Sequence, residues 1–239
     1  MTLIMFIQKM ITKIKNLMNK ITGVIKKKAG YYNTHYRQKM WTKIAVDQFK
    51  SGEPYSWGIS IENENRLGDY MRLKDELLLP NIIGKTVVEI GCLDGKWSQY
   101  IVLCAEHSFL VDLSKDILPV LNDRLHEVEG GGYTFYKTKG FELDGIDNNT
   151  IDFIFSMDTL VRVNKKYLSR YFEHFRRVLK SNGKMLIHLP CISSPFSKSK
   201  GFVKLHPDKI IEMMINNGFN EFTFDFSIIN HGVLLKYGF

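Results

Sequence analysis

From residue 80 onward the sequence alternates short apolar runs with stretches of helical period, and no other feature limits the possible folds so strongly. Runs at 86–90, 108–113, 133–136, 151–156, 184–189, 222–228 and 233–236 read as strands, and 96–104, 115–128, 165–179 and 207–217 between them read as helices. Parallel strands need crossovers of a dozen or more residues, and right-handed crossovers lay helices on both faces of the sheet. The pattern predicts an α/β protein with a mostly parallel, doubly wound sheet. Only Asn230-His231-Gly232 divides the last two runs, a hairpin spacing that makes one sheet edge antiparallel.

The first strand leads into Val87-Val88-Glu89-Ile90-Gly91-Cys92-Leu93-Asp94-Gly95-Lys96-Trp97-Ser98. This is a buried strand, a tight glycine turn and a helix start that Asp94 could cap. Open α/β sheets bind ligands at the carboxyl ends of their strands, where such a turn exposes bare backbone. By itself the turn has a purely steric reading, with Trp97 as core packing beneath it. Asp112 closes the second strand, 21 residues after Gly91. An acid there can accept hydrogen bonds from two ribose hydroxyls, or cap the helix near Ser114. Together the turn and the acid point to a nucleoside-containing cofactor. A dinucleotide site wants G-x-G-x-x-G, with pyrophosphate at the helix N-terminus. Here Leu93 replaces the middle glycine, and Asp94 would repel a diphosphate. S-adenosylmethionine fits better, because Glu89 and Asp94 would attract its ammonium and sulfonium.

With these segments in order, the chain resembles class I S-adenosylmethionine-dependent methyltransferases over roughly residues 55–239. Residues 87–95 look like their motif I and residues 109–114 like their second motif. The stretch from Asn148 to Leu160 looks like their fourth strand. Phe175-Arg176-Arg177-Val178-Leu179-Lys180-Ser181-Asn182-Gly183-Lys184 is similar to the R-V-L-K-P-G-G turn before their fifth. The resemblance implies a Rossmann-like fold and S-adenosyl-L-methionine as cofactor. Glu89, Gly91, Cys92 and Gly95 would border the methionine moiety, Asp112 and Leu113 the ribose and adenine, and Leu93 and Asp94 would belong to the same cofactor-binding set. Phe141 would face the adenine ring or serve as an ordinary core aromatic. Ser156, Met157 and Asp158 would lie beside the sulfonium. The sequence departs from the family at Leu93, at Ser181-Asn182 in place of Pro-Gly, and at Arg162, where relatives often carry histidine.

Trp57-Gly58 and Arg66-Leu67-Gly68-Asp69-Tyr70 are similar to elements of subgroups from surface-polysaccharide gene clusters. The implied acceptor is a glycan or small-molecule hydroxyl. A hydroxyl benefits from proton removal, worth about 10²–10⁴-fold in rate. Asp158, at a strand's carboxyl end, is the candidate catalytic base, with His188 and His206 as competitors. No cluster shows metal-ligand spacing, so no metal is expected, apart from a loosely bound magnesium. An RNA methyltransferase and a non-catalytic, membrane-associated scaffold are the alternatives.

Charge bears on these choices. Of the net charge of +8, seven charges sit on Lys9, Lys13, Lys15, Lys20, Lys26, Lys27 and Lys28, and residues 29–239 carry only +1. A nucleic-acid reader usually needs its basic patch on the folded domain, so nucleic acid is an unlikely partner. Leu3, Ile7, Met10, Ile14, Leu17, Ile21 and Val24 form one helical face opposite those lysines, ending at Ala29-Gly30. A basic amphipathic helix over 1–30 is expected to lie on an anionic membrane surface. Residues 31–79 read as a lid of short helices and loops, and 80–239 as the cofactor-binding domain. Cys92, Cys104 and Cys191 suggest no disulfide framework. No apolar run nears the roughly 20 residues of a membrane span, and lysines interrupt any signal peptide. The expected location is the cytoplasm, peripheral on the membrane's inner face.

Overall fold

The computed structural model describes residues 34–51, 69–194, 202–229 and 231–239. The basic helix, Trp57-Gly58 and Arg66-Leu67-Gly68 lie outside the described residues. The chain divides into two units, residues 1–41 and 42–239. Among the described residues no helix is long and apolar enough to cross a membrane.

In chain order come α1 (Thr34–Lys50), a π-helical turn (Leu73–Leu78) running into α2 (Leu79–Ile82), β1 (Thr86–Ile90), α3 (Ser98–Cys104) and β2 (His107–Asp112). A 3₁₀ turn (Lys115–Ile117) then leads to α4 (Leu118–Leu125), β3 (Gly132–Lys137) and β4 (Ile151–Ser156). After a second 3₁₀ turn (Leu160–Arg162) follow α5 (Lys165–Val178), β5 (Leu179–Leu189), α6 (Pro207–Asn216), β6 (Phe222–Asp225) and β7 (Val233–Tyr237). The seven strands form one sheet in the order β3-β2-β1-β4-β5-β7-β6. The first five pair in parallel, and β7 runs antiparallel to both β5 and β6.

The apolar runs are explained by burial on both faces. Val88, Ile90, Ile154, Ile187 and Leu235 point into one core layer with Phe172 and Phe175 of α5. Val87, Phe153, Phe155, Leu186 and Leu234 point into the opposite layer with Trp97, Ile101 and Leu73. Successive strand side chains alternate between the layers.

Three expectations change at this level. The region 31–79 holds a 17-residue helix, α1, where short helices were expected; Ala45, Val46 and Phe49 anchor it on Ile117 and Val120. The expected helix 115–128 breaks into a 3₁₀ turn and α4, where Pro119 sits in the first turn and Ser114 Oγ caps Asp116 N–H at 3.2 Å. Strand β6 ends at Asp225 because its carboxylate turns to accept from Ser227 N–H and Oγ–H, at 2.8 and 2.7 Å.

Candidate active site

Two groups of side chains meet at the carboxyl ends of β1, β2, β4 and β5. The first is the turn after β1. Gly91, Leu93 and Gly95 all adopt left-handed backbone, with φ of 81°, 44° and 88°. Leu93 therefore holds the conformation for which glycine is favoured, at a cost of roughly 1 kcal/mol. Its side chain is partly buried against the Ala45, Ile117 and Val120 cluster. Gly91 could not be replaced so simply, since a Cβ there would lie 2.2 Å from Thr159 Oγ1. The turn is pinned to β2 by Gly91 N–H donating to Val111 C=O at 2.7 Å.

The acids around this turn take different roles. Glu89 is buried and accepts from Ser98 Oγ–H at 2.6 Å. Burial pushes its carboxyl up to about 8, against the lowering effect of that hydrogen bond. Asp112 accepts from Leu93 N–H at 3.2 Å and Ser114 N–H at 2.9 Å. Burial raises its pKa, and these backbone donors oppose the rise. Asp112 thus ties the first turn to the second, and stands half-buried beside Leu113.

Asp94 requires a correction. It is fully buried and ion-paired with Arg124 of α4 at 3.2 Å. It does not cap α3, whose N-cap is Trp97 without a side-chain bond. Its partner is thus a residue of α4, and neither carboxylate oxygen has a hydrogen bond among the described residues. Cys92 and Ser156 are buried at 3% and 1% exposure. Ser156 Oγ–H donates to Ile90 C=O at 3.1 Å, so it splices β4 to the end of β1. Phe141 packs against α5, stacked with Tyr167 at 6.0 Å between centroids and with the Arg170 guanidinium 5.2 Å from its ring.

The second group centres on Asp158, two residues past β4, where φ is 56°. Its Oδ1 lies 3.0 Å from His188 Nδ1 and 3.2 Å from His231 Nε2, and its Oδ2 accepts from Tyr70 Oη–H at 2.5 Å. Arg162 donates to the Asp158 carbonyl. Both histidines are buried, while the Asp158 side chain keeps 20% exposure. Burial alone would raise the Asp158 carboxyl, yet hydrogen bonds and charge from both histidines hold it well below the usual range. Burial lowers His188, against the pull of Asp158. The combination is an ionised carboxylate beside a neutral imidazole. Lys96 Nζ sits over the Tyr70 ring at 4.1 Å, and burial brings it down to about 8 despite the charges of Asp158 and Asp94. Asp158 is joined to the turn after β1 through its neighbour, since Thr159 packs on Gly91.

Sequence reading named Asp158 and His188 separately and missed His231, which spacing showed only as part of a hairpin turn. His206, the other competitor, lies outside the cluster, exposed and paired with Asp208 at 3.1 Å. The expectation that no cluster has metal-ligand character also changes: Asp158, His188 and His231 bring three ligand atoms within 4.8 Å of one another. Their separations of 30 and 43 positions carry no local signal.

Residues 88–187 match the family model described as a methyltransferase domain. No curated protein matches the chain significantly in sequence. Among solved structures it resembles an S-adenosylmethionine-dependent methyltransferase from Leishmania major (14% identity, TM-score 0.61, covering 87% of this chain and 85% of that one). It also resembles magnesium protoporphyrin IX methyltransferase from Synechocystis PCC 6803 with bound S-adenosylhomocysteine (13% identity, TM-score 0.62, 86% and 99% covered). Phosphoethanolamine N-methyltransferase 1 of Haemonchus contortus matches at 16% identity and TM-score 0.53, over 72% of this chain but only 35% of its own length. At these identities the likeness is one of fold.

Proposed function

We propose, from the premise that this chain carries a methyltransferase domain in a class I S-adenosylmethionine-dependent methyltransferase fold, that it methylates a hydroxyl of a sugar, glycan or small molecule. The observation that carries this reading is the Asp158 carboxylate, ionised and oriented by Tyr70, His188 and His231, one residue from the Thr159 contact to the cofactor turn.

S-adenosylmethionine supplies an electrophilic methyl group, and methyl transfer is an in-line displacement whose main demand is alignment at near-attack distance. The chain offers Gly91 and Gly95 as bare backbone at the turn, Glu89 beneath it, and Asp112 at the tip of β2. The low pKa of Asp158 makes it a weak base towards a neutral alcohol. The alcohol oxygen gains positive charge as its bond to carbon forms, however, and its proton then becomes strongly acidic. An ionised carboxylate can accept it at that moment, with the histidines sharing the resulting charge. The role of base is thus assigned to the Asp158 group acting with His188 and His231.

The basic segment 1–28 supports placing this chemistry at a membrane surface. Lysines near an anionic leaflet contribute roughly 1 kcal/mol each. The test of the whole reading is transfer of a labelled methyl group from S-adenosylmethionine into panels of lipid-linked glycans, free sugars, metabolites and RNA. Incorporation into hydroxyl acceptors is expected; incorporation confined to RNA would replace this reading.

A further inference from the structure

We infer that Asp158, His188 and His231 form a three-ligand site for a divalent transition metal of the zinc class. The three donor atoms come from separate elements, the ends of β4 and β5 and the residue two places before β7, and still converge on one point. His188 Nδ1 and His231 Nε2 approach the same oxygen, Asp158 Oδ1, at 3.0 and 3.2 Å. The rings stand nearly perpendicular at 87°, with centroids 4.9 Å apart, so each presents its inner nitrogen from a different direction. The outer nitrogens, His188 Nε2 and His231 Nδ1, are buried without a hydrogen-bond partner. Nothing on the outer side fixes the tautomer, and either ring can turn a lone pair inward.

Two further features set the cluster apart from an ordinary buried hydrogen-bond group. Asp158 is not a glycine yet holds left-handed backbone at φ 56°, the kind of strain that persists where surrounding structure enforces it. Gly232 leaves just enough room for His188, because a Cβ there would lie 2.1 Å from its Nε2. Tyr70 Oη–H holds the other carboxylate oxygen at 2.5 Å, the kind of outer contact that orients a metal-binding carboxylate. Two imidazoles and one carboxylate suit zinc and its neighbours, whereas magnesium and calcium prefer all-oxygen sites. Three protein ligands leave a position open, the arrangement of catalytic rather than structural zinc. The 20% exposure of the Asp158 side chain gives that position a route to solvent. The binding claim stands on this geometry; only its use rests on the function proposed above, since with the three lone pairs on the ion a bound zinc would polarise the acceptor hydroxyl in place of the base role that the metal-free group would play.

The full-length protein, stripped with chelator and titrated with Zn²⁺ alone, should bind one ion per chain, and Co²⁺ should give the visible absorption of a four- or five-coordinate site. Asp158→Asn and His231→Ala should each weaken zinc binding by more than about 100-fold, a larger loss than outer contacts usually cause. His206→Ala, which removes an exposed histidine, should leave it unchanged. Should the buried His188→Ala variant fail to fold, those two variants still decide, with circular dichroism confirming their folds. Absence of saturable binding, or equal binding by wild type and Asp158→Asn, overturns the site. Methyl transfer by a protein that takes up no zinc would overturn the metal while leaving the proposed acceptor chemistry standing.

Discussion

At the residue scale, the proposed roles of Asp112 and Asp158 separate cofactor binding from chemistry. Asp112→Ala should weaken S-adenosylmethionine binding by about 1.5–3 kcal/mol, the range for a hydrogen bond to a charged group. It should also loosen the turn, since Leu93 N–H and Ser114 N–H lose their acceptor. Asp158→Asn should lower kcat by about 10²–10⁴-fold and leave cofactor affinity, read by calorimetry, nearly unchanged. Turnover at the wild-type rate would place the base elsewhere. Leu93 and Gly91 make a contrasting pair. Leu93→Gly relieves left-handed strain of roughly 1 kcal/mol and loses a partly buried apolar contact, so thermal stability should shift little. Gly91→Ala meets Thr159 at 2.2 Å and should destabilise strongly. The sequence shows Leu93 as a departure from a glycine pattern; the backbone shows that the departure is chemical and not conformational. Asp94 is the opposite case. Its position in the motif suggested a ligand contact, and only the packing of α4 reveals Arg124 as its partner.

At the element scale, alternation of apolar runs was enough to locate each of the seven strands: β1, β4, β5 and β7 are buried for most of their length, and the edge strands β3 and β6, with no fully buried residue, are marked by their aromatic and threonine content. Strand order was less legible. A hairpin reading says that β6 and β7 pair, and does not say which of them lies beside β5. In the structure β7 is the one that pairs with β5, with Leu186 opposite Lys236 and His188 opposite Leu234. This choice brings His231 to His188 and Asp158, which explains why the cluster was invisible to spacing arguments. Gly232→Ala therefore belongs to this scale. It should displace His188, and its signature would be a loss of kcat with the cofactor KM retained. An unchanged kcat would mean that His188 need not hold its place.

For the molecule as a whole, the buried ionisable groups shape stability against pH. Glu89 rises from an ordinary 4.5 to about 8, so between those values the folded protein holds a proton that the unfolded chain has lost. Stability of the cofactor-free protein should fall as pH rises through that window, at up to about 1.4 kcal/mol per pH unit. Lys96 drops from 10.5 to about 8, so above 8 its unfolded form holds the extra proton and opposes the fall, while Cys92 and Tyr171, both raised by burial, continue it at higher pH. Asp152, Asp158 and Asp225 lie below their ordinary values, and their contribution is present above about pH 4 and lost in stronger acid. Thermal stability should thus descend between about pH 5 and pH 8, and Glu89→Gln should flatten that descent. The basic segment provides the other whole-chain test. Removing residues 1–28 should abolish pelleting with anionic vesicles and spare cofactor binding, and equal pelleting of both forms would remove the membrane role.

The placement of β7 between β5 and β6 also sets a timetable for synthesis. Strand β5 ends at Leu189 and its antiparallel neighbour begins at Val233, 44 positions later. At about 5–20 residues per second the ribosome takes roughly 2–9 s to cover that distance. During this interval the β1 turn and its pairing with β2 and β4 have already emerged, while one side of β5 has no strand to pair with. An unpaired apolar edge is a template for the wrong neighbour. The nascent chain therefore passes through a stage that can hold the cofactor end of the sheet but lacks His231, and chaperone demand should peak there, before the last hairpin closes the sheet.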